Sequence, residues 1–217
     1  SFKTDALKSY VDLLLPIQQR RIEELPVNKE FLFYDAIQQT LMDVAARVFL
    51  GLDETSRMAK KLNHIFTTIN KGLITPLPYR FPFSTYSRAL KARERLRIYI
   101  QNNIPKRRGR DDVDMFTRYC NAKDEDGSFL DPIDIDGHIA FLMFAAFDTT
   151  TSALTNILYY LGTHTEWQDR VRNEINQIGK EDLTYEDASS MLQTDYVFNE
   201  TMRFYPSVMI LNRRTTK

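Results

Sequence analysis

The sequence holds a single cysteine, Cys120, and only 3 histidines in 217 residues. One cysteine excludes internal disulfides and any site built from several thiolates, and three scattered histidines leave little for zinc. Glycine is scarce at 7 residues, which with 8 prolines excludes collagen-like and low-complexity classes. Net charge is lacking too. Twenty-nine basic side chains against 29 acidic ones remove the general electrostatic footprint of a protein that coats nucleic acid or anionic membrane, leaving only local patches open. No nucleic-acid partner is expected. The longest wholly apolar run, Ile139 to Phe147, is too short to cross a bilayer, and no charged-then-apolar signal opens the chain, so no membrane segment is expected. What the chain does have, 43% hydrophobic and 12% aromatic residues, describes a globular unit or a large piece of one.

Apolar residues recur at three and four along most of the chain, and period-two alternation is hard to find, so the expected fold class is mainly α. The opening helix, about Phe2 to Leu15, is expected to stop at Pro16, and a second, roughly Lys29 to Leu50, to bury Phe31, Ile37, Leu41, Val44 and Val48 and end at Gly51. Ser56 is placed to cap a third, running to about Ile74 before Pro76, Pro78 and Pro82. From Ser84, Ala89, Ala92, Leu96, Tyr99 and Ile100 form one stripe of an amphipathic helix. Lys106 to Arg110 are neutralised by Asp111, Asp112 and Asp114 and read as a solvated linker, followed by a short helix carrying Cys120. Asp131 before Pro132 marks the start of the longest helix, to about Gly162. Thr165 with Gln168 reads as a capping box for the next, ending near Gly179, and Thr184 with Asp187 as a weaker start signal before a final helix, Ala188 to Phe204. After Pro206, Val208 to Leu211 read as the entry to a strand.

The central helix carries the unusual chemistry. Its first half, through Phe147, is apolar on every side, which predicts burial all round. Asp148, Thr149, Thr150, Thr151 and Ser152 then follow. Buried carboxylates and hydroxyls must find partners, and β-branched residues are poor helix formers, so this belt costs free energy that something must offset. Either each hydroxyl bonds back to a carbonyl one turn earlier, with Asp148 meeting a basic partner, or Ala145, Ala146, Thr149 and Ala153 line a shallow stripe for a flat ligand, or a close helix crossing, with a proton-carrying pair at its edge. Near the end, Glu200 and Arg203 stand three apart and share a helix face.

The stretch AAFDTTTSAL, then about fifty residues, then NETMRFYPSV and NRRTTK resembles the cytochrome P-450 superfamily of haem-thiolate monooxygenases. The first element resembles that family's oxygen-activation motif, the second its Glu-x-x-Arg; THTEWQDRVRNEI resembles the intervening helix, and GLITPLPYRFPFSTYSRALKARERL the roof over its substrate pocket. The resemblance implies the middle helical part of the cytochrome P-450 fold, a single partial domain over residues 1–217. It implies a haem b cofactor, with Thr149 bonding dioxygen, Asp148 relaying protons, Ala145 and Ala146 beside the cofactor, and Arg213 on a haem propionate. Glu200 and Arg203 would be a structural pair. A small apolar organic substrate, dioxygen and an electron donor, ferredoxin or flavoprotein reductase, follow as partners. Ala146 stands where the family commonly has glycine. The family's Phe-x-x-Gly-x-x-x-Cys-x-Gly loop, source of the axial thiolate, is not among these residues, and Cys120 lacks its glycine setting. The chain, opening on Ser1 and closing on Arg213 to Lys217 without a stop signal, reads as an internal piece of a longer protein, inactive alone. Location is left open, cytoplasmic for a bacterial-type member.

Other chemistries do not fit. With Gly127 at the sixth position of a calcium loop, Ile133 would fill the twelfth, where a carboxylate is needed. His64, His138 and His164 are too dispersed for a metal site and read as surface or packed histidines. No phosphate loop or nucleophile elbow occurs. The alternative to the enzyme is a non-catalytic all-helical binding module in which Asp148 to Ser152 form a buried structural network.

Overall fold

Helix punctuation places the elements of the computed structural model, which describes residues 4–73, 75 and 79–209. They are α1 (Thr4–Glu23), α2 (Phe33–Leu50), α3 (Arg57–Leu73), α4 (Thr85–Arg107), α5 (Met115–Asn121), α6 (Pro132–Thr163), α7 (Thr165–Ile178), α8 (Tyr185–Ser189) and α9 (Leu192–Phe204). The mainly α expectation is met. Pro76, Pro78, Ile210, Leu211 and Arg213 lie outside the described residues.

Contacts gather the chain into two compact units, one of Ser1–Glu23 and Met42–Ala146, the other of Glu24–Leu41 and Phe147–Lys217. In the first, Tyr10, Val48 and Met115 are buried together, with Leu7, Leu13, Val44 and Leu142 packed against them. This packing explains a departure from expectation: Pro16 does not stop α1, which runs on to Glu23. Proline removes one helical hydrogen bond, but Tyr10 and Ile17, buried on either side of it, hold the helix through the defect. Helix α2 starts later than expected, at Phe33, after Asn28 turns the chain with φ of 59°, so Phe31 lies ahead of the helix and is exposed. Gly51 ends α2 with φ of 59°, as its position implies.

Ser56 caps α3 through the Ala59 amide and Ser84 caps α4 through the Ser87 amide. The two helices approach closely where Gly72 faces Ala89, since a side-chain carbon on Gly72 would collide with the Ala89 methyl. The basic run is solvated as expected at Lys106, Arg108, Gly109 and Arg110, but not at Arg107. Helix α4 extends through Arg107, whose Nη1 donates to Asp114 Oδ1 at 2.8 Å and Thr117 Oγ1 at 2.8 Å, and whose Nη2 donates to the Leu50 carbonyl at 2.5 Å. A charge count along the chain predicts solvation; the tertiary partners Leu50 and Thr117 make burial affordable. Arg93 likewise meets Asp136 of α6 in a two-bond pair at 2.8 and 2.6 Å.

In the second unit, His164 rather than Thr165 precedes α7, with no side-chain cap, so the expected capping box is absent there. Thr184 and Asp187 form the complete box instead, opening α8, and the chain turns before α9 rather than continuing as one helix. Glu174 accepts from the Gln193 amide at 2.7 Å and the Thr194 amide at 3.0 Å, supplying from α7 the start signal that α9 lacks in its own sequence. The final helices are sparsely covered: α7 and α8 bury no residue and α9 only Thr201.

Candidate functional site

Helix α6 is built from a four-residue stripe, Ile135, Ile139, Met143 and Phe147, all buried. The expectation of burial all round fails on the opposite side, where Phe141 is 66% and Phe144 43% exposed. Ala145, Ala146 and Thr149 are half-buried, presenting short side chains next to those exposed rings. In the belt, the Thr151 hydroxyl donates to the Phe147 carbonyl at 2.8 Å and Thr155 to Thr151 at 2.7 Å, the back-bonding expected of buried hydroxyls. Asp148 is exposed by surface, yet protein atoms around its carboxyl desolvate it and push its pKa upward.

One contact at the belt has no signal in the sequence: the Ser207 hydroxyl donates to the Thr149 carbonyl at 2.9 Å. It fastens the segment after α9 to the turn of α6 that carries Asp148 and Thr149. On α9, Arg203 Nε and Nη2 each donate to Glu200 at 2.8 Å, and the Arg203 hydrogen bond lowers the Glu200 pKa. Both are exposed, so the structure pairs them with each other, while Thr201 between them faces inward. Arg213 lies outside the described residues.

Two cavities are large enough for an organic molecule. The larger, about 720 Å³, lies in the second unit and includes Trp167, Val197, Glu200, Arg203 and Phe204 in its walls. The smaller, about 480 Å³, lies in the first unit between α3, α4 and α6, lined by Phe66, Ile69, Leu73, Ala89, Leu96 and Phe144. Size favours the first; the second reaches α6 through Ala140 and Phe144.

Cys120 is fully buried and its thiol is pushed up to about 11 by burial. His138 is exposed and stacks on Tyr119 with ring centres 5.3 Å apart, and His164 sits within 3.1 Å of the Tyr160 carbonyl.

Compared with known proteins, residues 16–217 match the family model for cytochrome P-450. The chain belongs to that family. It is 31% identical over 221 residues to cytochrome P-450 136 of Mycobacterium tuberculosis, covering all of this chain and 45% of that protein. It is 30% identical over 213 residues to a protopanaxadiol 6-hydroxylase of Panax ginseng, covering 94% and 45% respectively. A cyanobacterial cytochrome P-450 solved with retinoic acid bound superposes with a TM-score of 0.83 at 28% identity, over 94% of this chain and 46% of that one. The chain therefore spans a little under half the length of the cytochrome P-450 relatives it matches. The fold expected from the resemblance, the helical middle of this family, is the fold observed.

Proposed function

We propose that this chain is the helical core of a haem-dependent monooxygenase that inserts one atom of dioxygen into an apolar organic molecule. The observation that carries the proposal is the placement of an acid and a hydroxyl, Asp148 and Thr149, in mid-helix beside the short side chains Ala145 and Ala146, with Phe144 reaching the apolar cavity. A planar apolar macrocycle fits such a surface: low side chains under it, exposed Phe141 and Phe144 alongside, and polar groups only at the edge. Cys120 does not suit an iron-ligand role, because its side chain is fully buried on α5 and presents no surface to a cofactor. When bound, haem supplies the oxidising chemistry, in which dioxygen, two electrons and two protons give one inserted oxygen and one water.

The residues of the chain then have distinct tasks. The Thr149 hydroxyl donates a hydrogen bond to dioxygen, and Asp148, whose desolvated carboxyl holds its proton more readily than an ordinary aspartate, passes protons inward from water. Ser207 holds the Thr149 turn in place through its carbonyl, and Glu200 with Arg203 stiffens α9. Arg213 would meet a propionate. The 480 Å³ cavity takes the substrate, and electrons come from a ferredoxin or flavoprotein reductase. Relatives named for protopanaxadiol and beta-amyrin support a terpenoid-sized carbon skeleton as the substrate class.

A self-contained binding module would cover its apolar faces. Here Phe141, Phe144 and Met209 are exposed and α7 buries nothing, which favours a core that packs against more protein and cofactor. The test is the reduced carbon monoxide spectrum. The full-length protein should give a thiolate-type Soret band and residues 1–217 reconstituted with haem should not; a thiolate band from the 217 residues would refute the reading of Cys120.

A further inference from the structure

Among the described residues, the wall of the 480 Å³ cavity holds one charged side chain, Arg93 of α4, set in a surface that is otherwise mostly apolar. Its guanidinium is fixed in place. Nη1 donates to Asp136 Oδ1 at 2.8 Å and Nη2 to Oδ2 at 2.6 Å, and the Asp136 side chain is only 5% exposed. A two-bond fork of this kind sets the plane of the group as well as its position. A guanidinium carries five N–H donors and keeps its proton throughout the working pH range. Two are spent on Asp136, which leaves three, and among the described residues none of the three meets a protein acceptor. Holding α4 to α6 needs only the first two. The Arg93 side chain stays 35% exposed, so a molecule entering the cavity can reach it, while the neighbouring side chains of Phe66, Ile69 and Leu96 offer no acceptor.

We propose that Arg93 receives a neutral oxygen of the substrate, a hydroxyl, ether or ketone at one end of an otherwise hydrocarbon molecule. The inference rests on the reading that this cavity takes the substrate, and adds which part of the substrate is held and by what. A preorganised donor in an apolar wall discriminates by what it is left with: a hydrocarbon that covers Arg93 strips water from the spare N–H groups and returns no acceptor. A carboxylate gains little. Asp136 already neutralises Arg93, so a second anion would lose its water beside an existing carboxylate, with no uncompensated cation in the described wall to meet it. Tyr86 stands two turns earlier on the same face of α4, but among the described residues no hydrogen bond orients its hydroxyl, so it lacks the fixed geometry that Asp136 gives Arg93. Arg93 is thus a specificity-determining residue, and the substrate class narrows from apolar molecules in general to apolar molecules with an uncharged oxygen.

Equilibrium dialysis of four matched terpenoids against the haem-loaded full-length protein tests the proposal: retinol, its methyl ether, the hydrocarbon in which a methyl replaces the alcohol end, and retinoic acid. Retinol and the ether should bind roughly tenfold to a hundredfold tighter than the hydrocarbon, and retinoic acid no tighter than the hydrocarbon. Arg93→Met with Asp136→Leu exchanges the ion pair for apolar bulk without stranding a charge, and should shrink the gap between retinol and hydrocarbon to less than about threefold. Tyr86→Phe should leave the gap as it is. Ala140→Phe, which fills the cavity from α6, should weaken all four. A hydrocarbon that binds the parent protein as tightly as retinol, or retinoic acid binding tightest of the four, would overturn the proposal without recourse to any variant. So would a gap that survives the double change, or one that Tyr86→Phe removes instead; in each of these cases the cavity remains the substrate site. Binding untouched by Ala140→Phe, or absent for all four, would overturn the reading of the cavity and the proposal with it.

Discussion

Arg107 offers the sharpest test of how the first unit is held together. Its side chain is only 11% exposed and that of Asp114 only 5%, so Arg107→Met strands a buried carboxylate. Removing one partner of a buried pair costs about 3–5 kcal/mol. Asp114 keeps the Thr117 amide at 2.9 Å and the Thr117 hydroxyl at 2.8 Å, which places the cost near the lower end of that range. The Leu50 carbonyl also loses its 2.5 Å donor, adding about 1 kcal/mol. The sum, about 4 kcal/mol, corresponds to a fall in Tm of roughly 8–16 °C for a chain of this size. Thermal unfolding followed by far-ultraviolet circular dichroism reads it directly. Asp114→Asn added to Arg107→Met should recover more than half of the loss, because the stranded charge disappears while the Asn oxygen still accepts from the Thr117 amide and its NH2 donates to the Thr117 hydroxyl that Arg107 has vacated. A loss below about 1 kcal/mol for Arg107→Met, or a double variant as damaged as the two single variants summed, would refute the buried-pair account.

Two further outcomes follow from single side chains. Asp187 is held down to about 2, first by the Lys180 hydrogen bond and then by Thr184, so its support of the α8 cap is complete above its ordinary 3.8 and is lost as pH falls through about 2; titration by nuclear magnetic resonance should place it there, and Asp187→Asn should remove that acid-dependent step from the unfolding profile. Cys120, buried and raised to about 11, should resist an aromatic disulfide reagent at neutral pH until denaturant is added, and rapid native labelling would contradict its burial.

Much of this structure was legible in the residues. Caps whose donor and acceptor lie within one turn, at Ser56 and Asp131, were readable, as was the glycine stop at Gly51, because those contacts are local. Pro16 misled because packing of Tyr10 and Ile17 outweighs a local penalty. Arg107 misled because the residues that bury it, Leu50 and Thr117, lie 57 and 10 positions away. The box expected at Thr165 formed at Thr184 instead, where Asp187 gains Lys180 as a second partner. At the candidate site, Asp148, Thr149, Glu200 and Arg203 were readable as motif residues. Ser207 was not, since a hydroxyl after a proline carries no pattern, and its role exists only where the chain returns to α6. The exposure of Phe141 and Phe144 was also invisible, because an apolar run predicts burial without saying what does the covering.

The central claim is that Thr149 acts on dioxygen rather than merely filling a helix. It is tested by the ratio of hydroxylated product to electrons consumed in the haem-loaded full-length protein carrying Thr149→Ala. Product per electron should fall, with hydrogen peroxide accounting for the difference, while Thr151→Ala, whose hydroxyl is spent on the Phe147 carbonyl, leaves the ratio near that of the parent. Unchanged coupling in Thr149→Ala would contradict the role assigned to this residue.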